Sequence, residues 1–143
     1  MPDPINGRNA QRNSPMQVAA SALTAQQSRM RIIAENIANA DSTARTAGGE
    51  PYRRQVPVFE ARRINGAMGV SLAEVRPDQR EFRREYDPSH PAADAEGYVL
   101  RPNVDTLIES MDMREAQRAY EANLNVIETA RSMMSRTLDI LKR

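Results

Sequence analysis

No glycine or proline interrupts the chain from Val104 to Arg143, and this limits the possible folds more than any other part of the sequence. Pro102-Asn103 stands directly before the stretch and is a stop and start signal for regular structure. A continuous helix of this length would extend roughly 60 Å at 1.5 Å per residue. The sequence therefore predicts one long helix over residues 103–143.

This helix carries an apolar stripe with a seven-residue period. The repeating positions are Met113, Tyr120, Ile127, Met134 and Leu141. The repeat is longer than the roughly three to four heptads that predict a coiled coil. Apolar residues at that spacing form one face of a helix, which needs a partner helix to cover it.

A second seamed helix is predicted within residues 16–44, near the other end of the chain. Ser14-Pro15 is a plausible start, since a hydroxyl can cap the helix and a proline at its first position loses no hydrogen bond. Its seven-residue positions are Met16, Leu23, Met30 and Ile37. Such a narrow, alanine-rich seam is unstable alone. We therefore predict that residues near 16–40 and 104–142 pair as antiparallel helices, within one subunit and against adjacent subunits.

Two asparagines mark the end of this helix. Asn36 and Asn39 are three residues apart, so their carboxamides lie side by side and can bond to unpaired helix-terminal carbonyls or to a neighbour. A plain helix end followed by a loop fits the same spacing equally well. We predict that they fix the turn out of the helix. The predicted assembly interface comprises Leu23, Met30, Ile33, Asn36, Ile37, Asn39, Met113, Tyr120, Ile127, Met134 and Leu141.

The middle segment, residues 45–102, holds most of the glycines, prolines and aromatic residues. Asn65-Gly66 is a good hairpin turn signal, and Pro57 favours an edge strand. The β-prone runs are Tyr52–Phe59, Gly69–Val75, Glu81–Tyr86 and Tyr98–Leu100. The predicted fold class is mainly α with a small β-rich insertion, the terminal helices being paired as a coiled coil. Residues 1–15, which are polar and rich in proline and asparagine, predict a flexible leader.

Composition excludes several classes of protein. Only 4% of the residues are aromatic and none is cysteine, which leaves a thin core and rules out disulfides and thiolate metal sites. The 20 basic and 19 acidic residues are spread evenly, whereas a nucleic-acid binder concentrates basic groups, so no nucleic-acid partner is expected. No run approaches the roughly 18 apolar residues of a membrane span, and the N-terminus lacks the apolar centre of a secretory signal.

The sequence offers little for catalysis. His90 is the single histidine, and Asp87, Asp94 and Glu96 lie near it, so a metal or acid–base site is conceivable. The two prolines that bracket His90 favour a solvated turn instead. No phosphate-binding loop, nucleophile elbow or zinc spacing occurs. We therefore expect no enzyme, no catalytic residue, no metal and no cofactor.

Four segments of the chain carry motifs that are shared with known proteins. They are SALTAQQSRMRIIAENIANADST (21–43), PYRRQVPVF (51–59), YDPSHPAADAEGYVLRPNVD (86–105) and EAQRAYEANLNVIETARSMMSRTLDIL (115–141). Together they resemble the bacterial flagellar basal-body rod protein family, and most closely its proximal-rod members, over a match from about Ser21 to Leu141. The first segment contains the N-I-A-N-A core that rod, hook and related axial proteins share, and the other three are more specific.

The resemblance implies a structural subunit that polymerises helically into the rod, the drive shaft of the flagellum. It implies a location in the basal body, where the rod crosses the periplasm, and export through the flagellar type III apparatus without a cleaved signal peptide. The implied partners are copies of the chain, other rod proteins, the junction with the MS ring at the rod base, and the export apparatus. Another axial rod protein, or a small helical export chaperone or adaptor, is the alternative.

Overall fold

A computed structural model describes the backbone of residues 4–142 and the side chains of residues 15–142. Two long helices flank four strands, as the sequence predicts, so the mainly α class with a small β-rich insertion is confirmed. The elements are α1 (Pro4–Ala38), β1 (Gln55–Ile64), β2 (Ala67–Pro77), β3 (Arg83–Tyr86), β4 (Tyr98–Arg101) and α2 (Thr106–Leu141).

The first helix extends upstream of the start that Ser14-Pro15 predicts, and Pro15 lies inside it. The flexibility predicted for residues 1–15 stays a prediction, because the first three residues and the side chains up to residue 14 lie outside the described part of the chain. Among the described helices, none has an apolar stretch long enough to cross a membrane.

The two helices pack against each other in antiparallel directions. Near the end of α1, Asn36 bonds to the first residue of β1, and the residue before β1 bonds to Glu109 in the first turn of α2. Two turns earlier in α1, the Arg29 guanidinium lies 3.5 Å from the carboxylate of Glu115, further along α2. Earlier residues of α1 therefore lie beside later residues of α2, as in an antiparallel pair.

The buried face of α1 is broader than a coiled-coil seam and is displaced from it. Besides α2, the hairpin of β1 and β2 also packs on α1, so the helix is covered from two sides. The predicted seam positions Leu23, Met30 and Ile37 are only half-buried for this reason. The most buried residues of this region are Ala19, Ala25, Ile32, Ile33, Asn36 and Ala40.

Strands β1 and β2 form an antiparallel hairpin whose turn is Asn65-Gly66, as predicted. Both turn residues have positive φ, 46° and 84°, which is the conformation that a type I′ turn requires. The ladder contains an irregularity between Val58 and Phe59, where β2 has an extra residue. Since this sheet has two strands, Pro57 lies on an edge strand, where its missing N–H is tolerated.

The second hairpin, β3 with β4, leads the chain into α2. Tyr86 and Tyr98 meet edge to face across it with ring centroids 5.3 Å apart, and the Arg84 guanidinium lies 4.3 Å from the centre of the Tyr98 ring. Gly97 has a φ of 90°, and a side chain there would collide with Tyr86. Val99 is fully buried and anchors this hairpin in the small core.

Candidate assembly interface

The last third of α2 has no cover within the described chain. Every residue from Arg131 to Lys142 is exposed, although the segment contains five large apolar side chains. Their exposed fractions range from 43% to 73%. We call these five residues the distal stripe: Met133, Met134, Leu138, Ile140 and Leu141. A contiguous apolar surface of this kind is typical of a protein–protein interface.

The predicted interface residues fall into two groups. The helix-pair residues Met113, Tyr120 and Ile127 are half-buried, as are Leu23, Met30, Ile37 and Asn39, whereas Ile33 and Asn36 are buried. Met134 and Leu141 are 43% and 72% exposed, so the described side chains of α1, from residue 15 onward, do not cover these two. Over the part of the chain whose side chains are described, the seam is therefore covered only along the first part of α2, and its continuation is exposed.

Asn36 joins α1 to the start of β1. Its side-chain Nδ2 donates to the carbonyl of Gln55 over 2.9 Å, and the Gln55 N–H donates to its Oδ1 over 2.9 Å. The Tyr52 hydroxyl also donates to Oδ1, over 2.7 Å. A buried carboxamide thus replaces a strand partner for the Gln55 backbone. Asn39 donates instead to the carbonyl of Glu35, one turn back in α1.

Beside Asn36, Arg54 makes a buried ion pair with the first turn of α2. Its Nε donates to Oε1 of Glu109, a side chain that is 1% exposed. Its Nη1 donates to Asp78 over 3.2 Å. Oε2 of Glu109 has no hydrogen-bond partner among the described residues, so the neutralisation of this carboxylate depends on Arg54. We call Arg54, Asp78 and Glu109, together with Asn36 and Asn103, the junction cluster.

Asn103 completes the junction cluster from the segment between β4 and α2. Its Nδ2 donates to the backbone carbonyls of Asp78 and Arg80, both over 3.0 Å, and its Oδ1 accepts from the Arg54 N–H over 2.7 Å. The N–H of Arg54 is used here, while its carbonyl accepts from the Asp78 N–H over 2.8 Å. Because the Asn103 side chain takes this N–H, β1 begins at Gln55 and not at the predicted Tyr52. Sequence reasoning noted Asn103 only as part of a helix-start signal, and it missed Arg54, Asp78 and Glu109 because each looks like an ordinary surface or turn residue.

Hydrogen bonds from Arg80, and from Arg54, lower the pKa of Asp78 to about 2 from 3.8, although its burial acts in the opposite direction. The carboxylate is 12% exposed, whereas its partner Arg80 is 67% exposed and screened by water. The lowered pKa means that the folded chain stabilises the charged carboxylate of Asp78 more than the unfolded chain does.

We expect the free energy of unfolding to fall as pH drops from 3.8 towards about 2, where Asp78 becomes protonated in the folded chain as well. The contribution present above this range is about 1–2 kcal/mol after allowance for solvent screening. Urea unfolding at several acidic pH values measures it. Asp78→Asn should flatten this part of the profile, whereas Asp139→Asn, which removes an exposed carboxylate of α2, should not. Equal profiles for wild type and Asp78→Asn would contradict the assignment.

The surroundings of His90 form a turn. Nδ1 of His90 accepts from the Ala92 N–H over 3.0 Å, and Oδ1 of Asp94 accepts from the N–H groups of Glu96 and Tyr98. These backbone bonds lower the pKa of Asp94. Over the described residues, no group of three or more His, Cys, Asp or Glu side chains is placed to hold a metal ion.

Family comparisons agree with this architecture. A family model described as "Flagella basal body rod protein" matches residues 16–45, which include the last two thirds of α1 and the turn after it. A model described as "Flagellar basal body rod FlgEFG protein C-terminal" matches residues 95–140, which include β4 and nearly all of α2.

Individual relatives match most of the chain. A flagellar basal-body rod protein FlgC of Agrobacterium fabrum is 47% identical over 127 residues, 87% of this chain and 91% of that protein. The protein with this description from Escherichia coli O6:H1 is 43% identical over 125 residues, 86% of this chain and 92% of its own length. The one from Bacillus subtilis is 38% identical over 144 residues, with 89% and 96% covered.

Proposed function

We propose, because this chain belongs to the flagellar basal-body rod protein family, that it is a structural subunit of the proximal rod. In this role it polymerises helically with other rod subunits into the drive shaft that transmits torque from the rotor to the hook. The function is mechanical and requires many contacts in parallel, which heterologous interfaces in a helical polymer supply. The chain acts as a building element and not as an enzyme.

The observation that carries this proposal is the distal stripe. Five large apolar side chains are exposed together over the last turns of α2, in a chain that has few aromatic residues for a core of its own. Covering them removes apolar surface from water, which is favourable by about 25 cal/mol per Å². The chain therefore gains much of its apolar burial only when it meets other subunits.

The partners of the proposed subunit are copies of itself, other rod proteins and the junction of the rod base with the MS ring. Its place is the flagellar basal body, where the rod crosses the periplasm. We also propose that it reaches this place through the flagellar type III export apparatus without a cleaved signal peptide. Long helices whose apolar faces lack partners are marginally stable in water, which favours passage through a narrow channel.

Deletion of the gene tests the function directly. A deletion strain should not swim, and its isolated basal bodies should lack complete rods, whereas a plasmid that carries the full chain should restore both. Intact rods in the deletion strain would overturn the proposal. An export chaperone would give a different result in wild-type cells, because purified rods would not contain the chain. In the deletion strain, the rods would instead lack the component that the chaperone delivers.

A further inference from the structure

The first turns of α2 expose a second apolar surface. Leu107, Ile108 and Met111 are 70%, 49% and 62% exposed, and their spacing places them on one face of the helix. We call these three residues the proximal patch. They lie on the side away from the buried Glu109, since residues two positions apart differ by about 200° around a helix. None of the described segments covers this patch.

The two ends of α2 are complementary in charge. Residues 104–115 contain four acidic residues and one basic residue. Glu109 is buried against Arg54, but Asp105 is exposed beside the proximal patch, as is Glu115, which pairs with Arg29. Residues 131–142 contain three basic residues and one acidic residue around the distal stripe. The start of α2 is therefore apolar and acidic, and its end is apolar and basic. Opposite charges around two apolar surfaces favour one register of docking and disfavour contact between like ends.

These two ends cannot meet within one chain. Leu107 and Leu141 are separated along a continuous helix by about 50 Å, at 1.5 Å per residue. The distal stripe and the proximal patch therefore cannot cover each other within one chain, and a contact between them joins two molecules. A contact between unlike surfaces is heterologous. Each pair of subunits joined in this way keeps one free proximal patch and one free distal stripe, so further subunits can add to the assembly.

We infer that the proximal patch receives the C-terminal end of the long helix of a neighbouring rod subunit, an end that is apolar and basic like residues 131–142 of this chain. The inference rests on the proposed function and specifies one of the contacts by which subunits join. The match of residues 95–140 to a family model described for other flagellar basal-body rod proteins supports the presence of an equivalent helix in neighbouring subunits.

Photo-crosslinking in assembled basal bodies tests this contact. The full chain, with p-benzoylphenylalanine in place of Leu107, is supplied to the deletion strain, and basal bodies are isolated, irradiated and digested. The crosslinked peptide should come from the C-terminal helix of a rod subunit, either this chain or a relative. The same probe in place of Glu121, an exposed residue further along α2, is the matched control and should not capture that helix end. Capture of any other segment by position 107, or none from assembled rods, would overturn the inference.

A substitution separates this inference from the proposed function. Leu107→Gln should leave thermal unfolding of the purified chain unchanged, because the side chain is 70% exposed. Loss of its burial in the contact should reduce the amount of chain in isolated rods about ten-fold. Leu107→Met keeps an apolar side chain and should assemble normally. If deletion of the gene abolishes rods but Leu107→Gln assembles like wild type, the inference fails and the proposed function stands.

Discussion

Arg54→Met should reduce the free energy of unfolding of the chain by roughly 3–5 kcal/mol, because it leaves a buried carboxylate without its counter-charge. Glu109 is 1% exposed, and its other carboxylate oxygen has no hydrogen-bond partner among the described residues. The loss would approach the whole stability of a small domain. Urea unfolding followed by circular dichroism measures it, and a chain that is already unfolded without urea is the extreme form of the same result.

Two further variants make this result specific. Arg76→Met breaks the pair of Arg76 with Glu74, whose side chains are 65% and 48% exposed, and should cost less than about 1 kcal/mol. The double variant Arg54→Met with Glu109→Met removes both charges and should recover most of the lost stability, since an apolar pair of similar volume can replace a buried ion pair. Equal losses for Arg54→Met and Arg76→Met would contradict the role of the junction cluster.

Two aspartates in the distal stripe should abolish rod assembly and swimming without unfolding the chain. Leu138 and Leu141 are 57% and 72% exposed, so Leu138→Asp with Leu141→Asp should change the stability of the isolated chain by less than about 1 kcal/mol. In an assembled interface the same change removes the burial of two leucines, roughly 3 kcal/mol or more, which weakens each contact about a hundred-fold or more.

Complementation of the deletion strain measures this effect through swimming and through rods in isolated basal bodies. The exported amount of the variant is measured as well and should stay normal. Ser132→Asp is the matched control, because Ser132 is exposed and lies on the side of the helix opposite Leu141. It adds the same charge to the same segment and should leave swimming intact. A motile strain with the double aspartate variant would contradict the assignment of the distal stripe to the assembly interface.

Much of the local structure follows from sequence patterns with a clear physical basis. The stretch from Val104 onward predicts α2, and the pair Asn65-Gly66 predicts the turn of the first hairpin, since few other residues accept its positive φ. The strand bounds were less accurate. Strand β1 continues through the charged residues Arg62 and Arg63, which the apolar pattern does not mark. Its start is displaced because the N–H of Arg54 donates to the side chain of Asn103.

The junction cluster could not be predicted in the same way. Arg54 and Glu109 are 55 positions apart in the chain, and Arg54 and Asp78 are 24 apart. No local period or short motif links such residues, and each is of a type that is usually exposed. Asn36 and Asn103 were singled out beforehand, but only for their places at the end and the start of a helix. The bond of Asn36 to Gln55, the first residue of β1, was not predicted.

The sequence by itself determined the two long helices, the hairpin between them and the apolar stripes along both helices, which need a partner surface. These features depend on local backbone preferences and on periods of 3.6 and 2 residues, which neighbouring side chains encode. The tertiary structure decided which parts of the stripes are covered. It places the hairpin on α1, which shifts the buried face of that helix, and it leaves both ends of α2 exposed. Burial depends on contacts between distant segments, and a periodic pattern is the same whether its partner lies in the same chain or in another subunit.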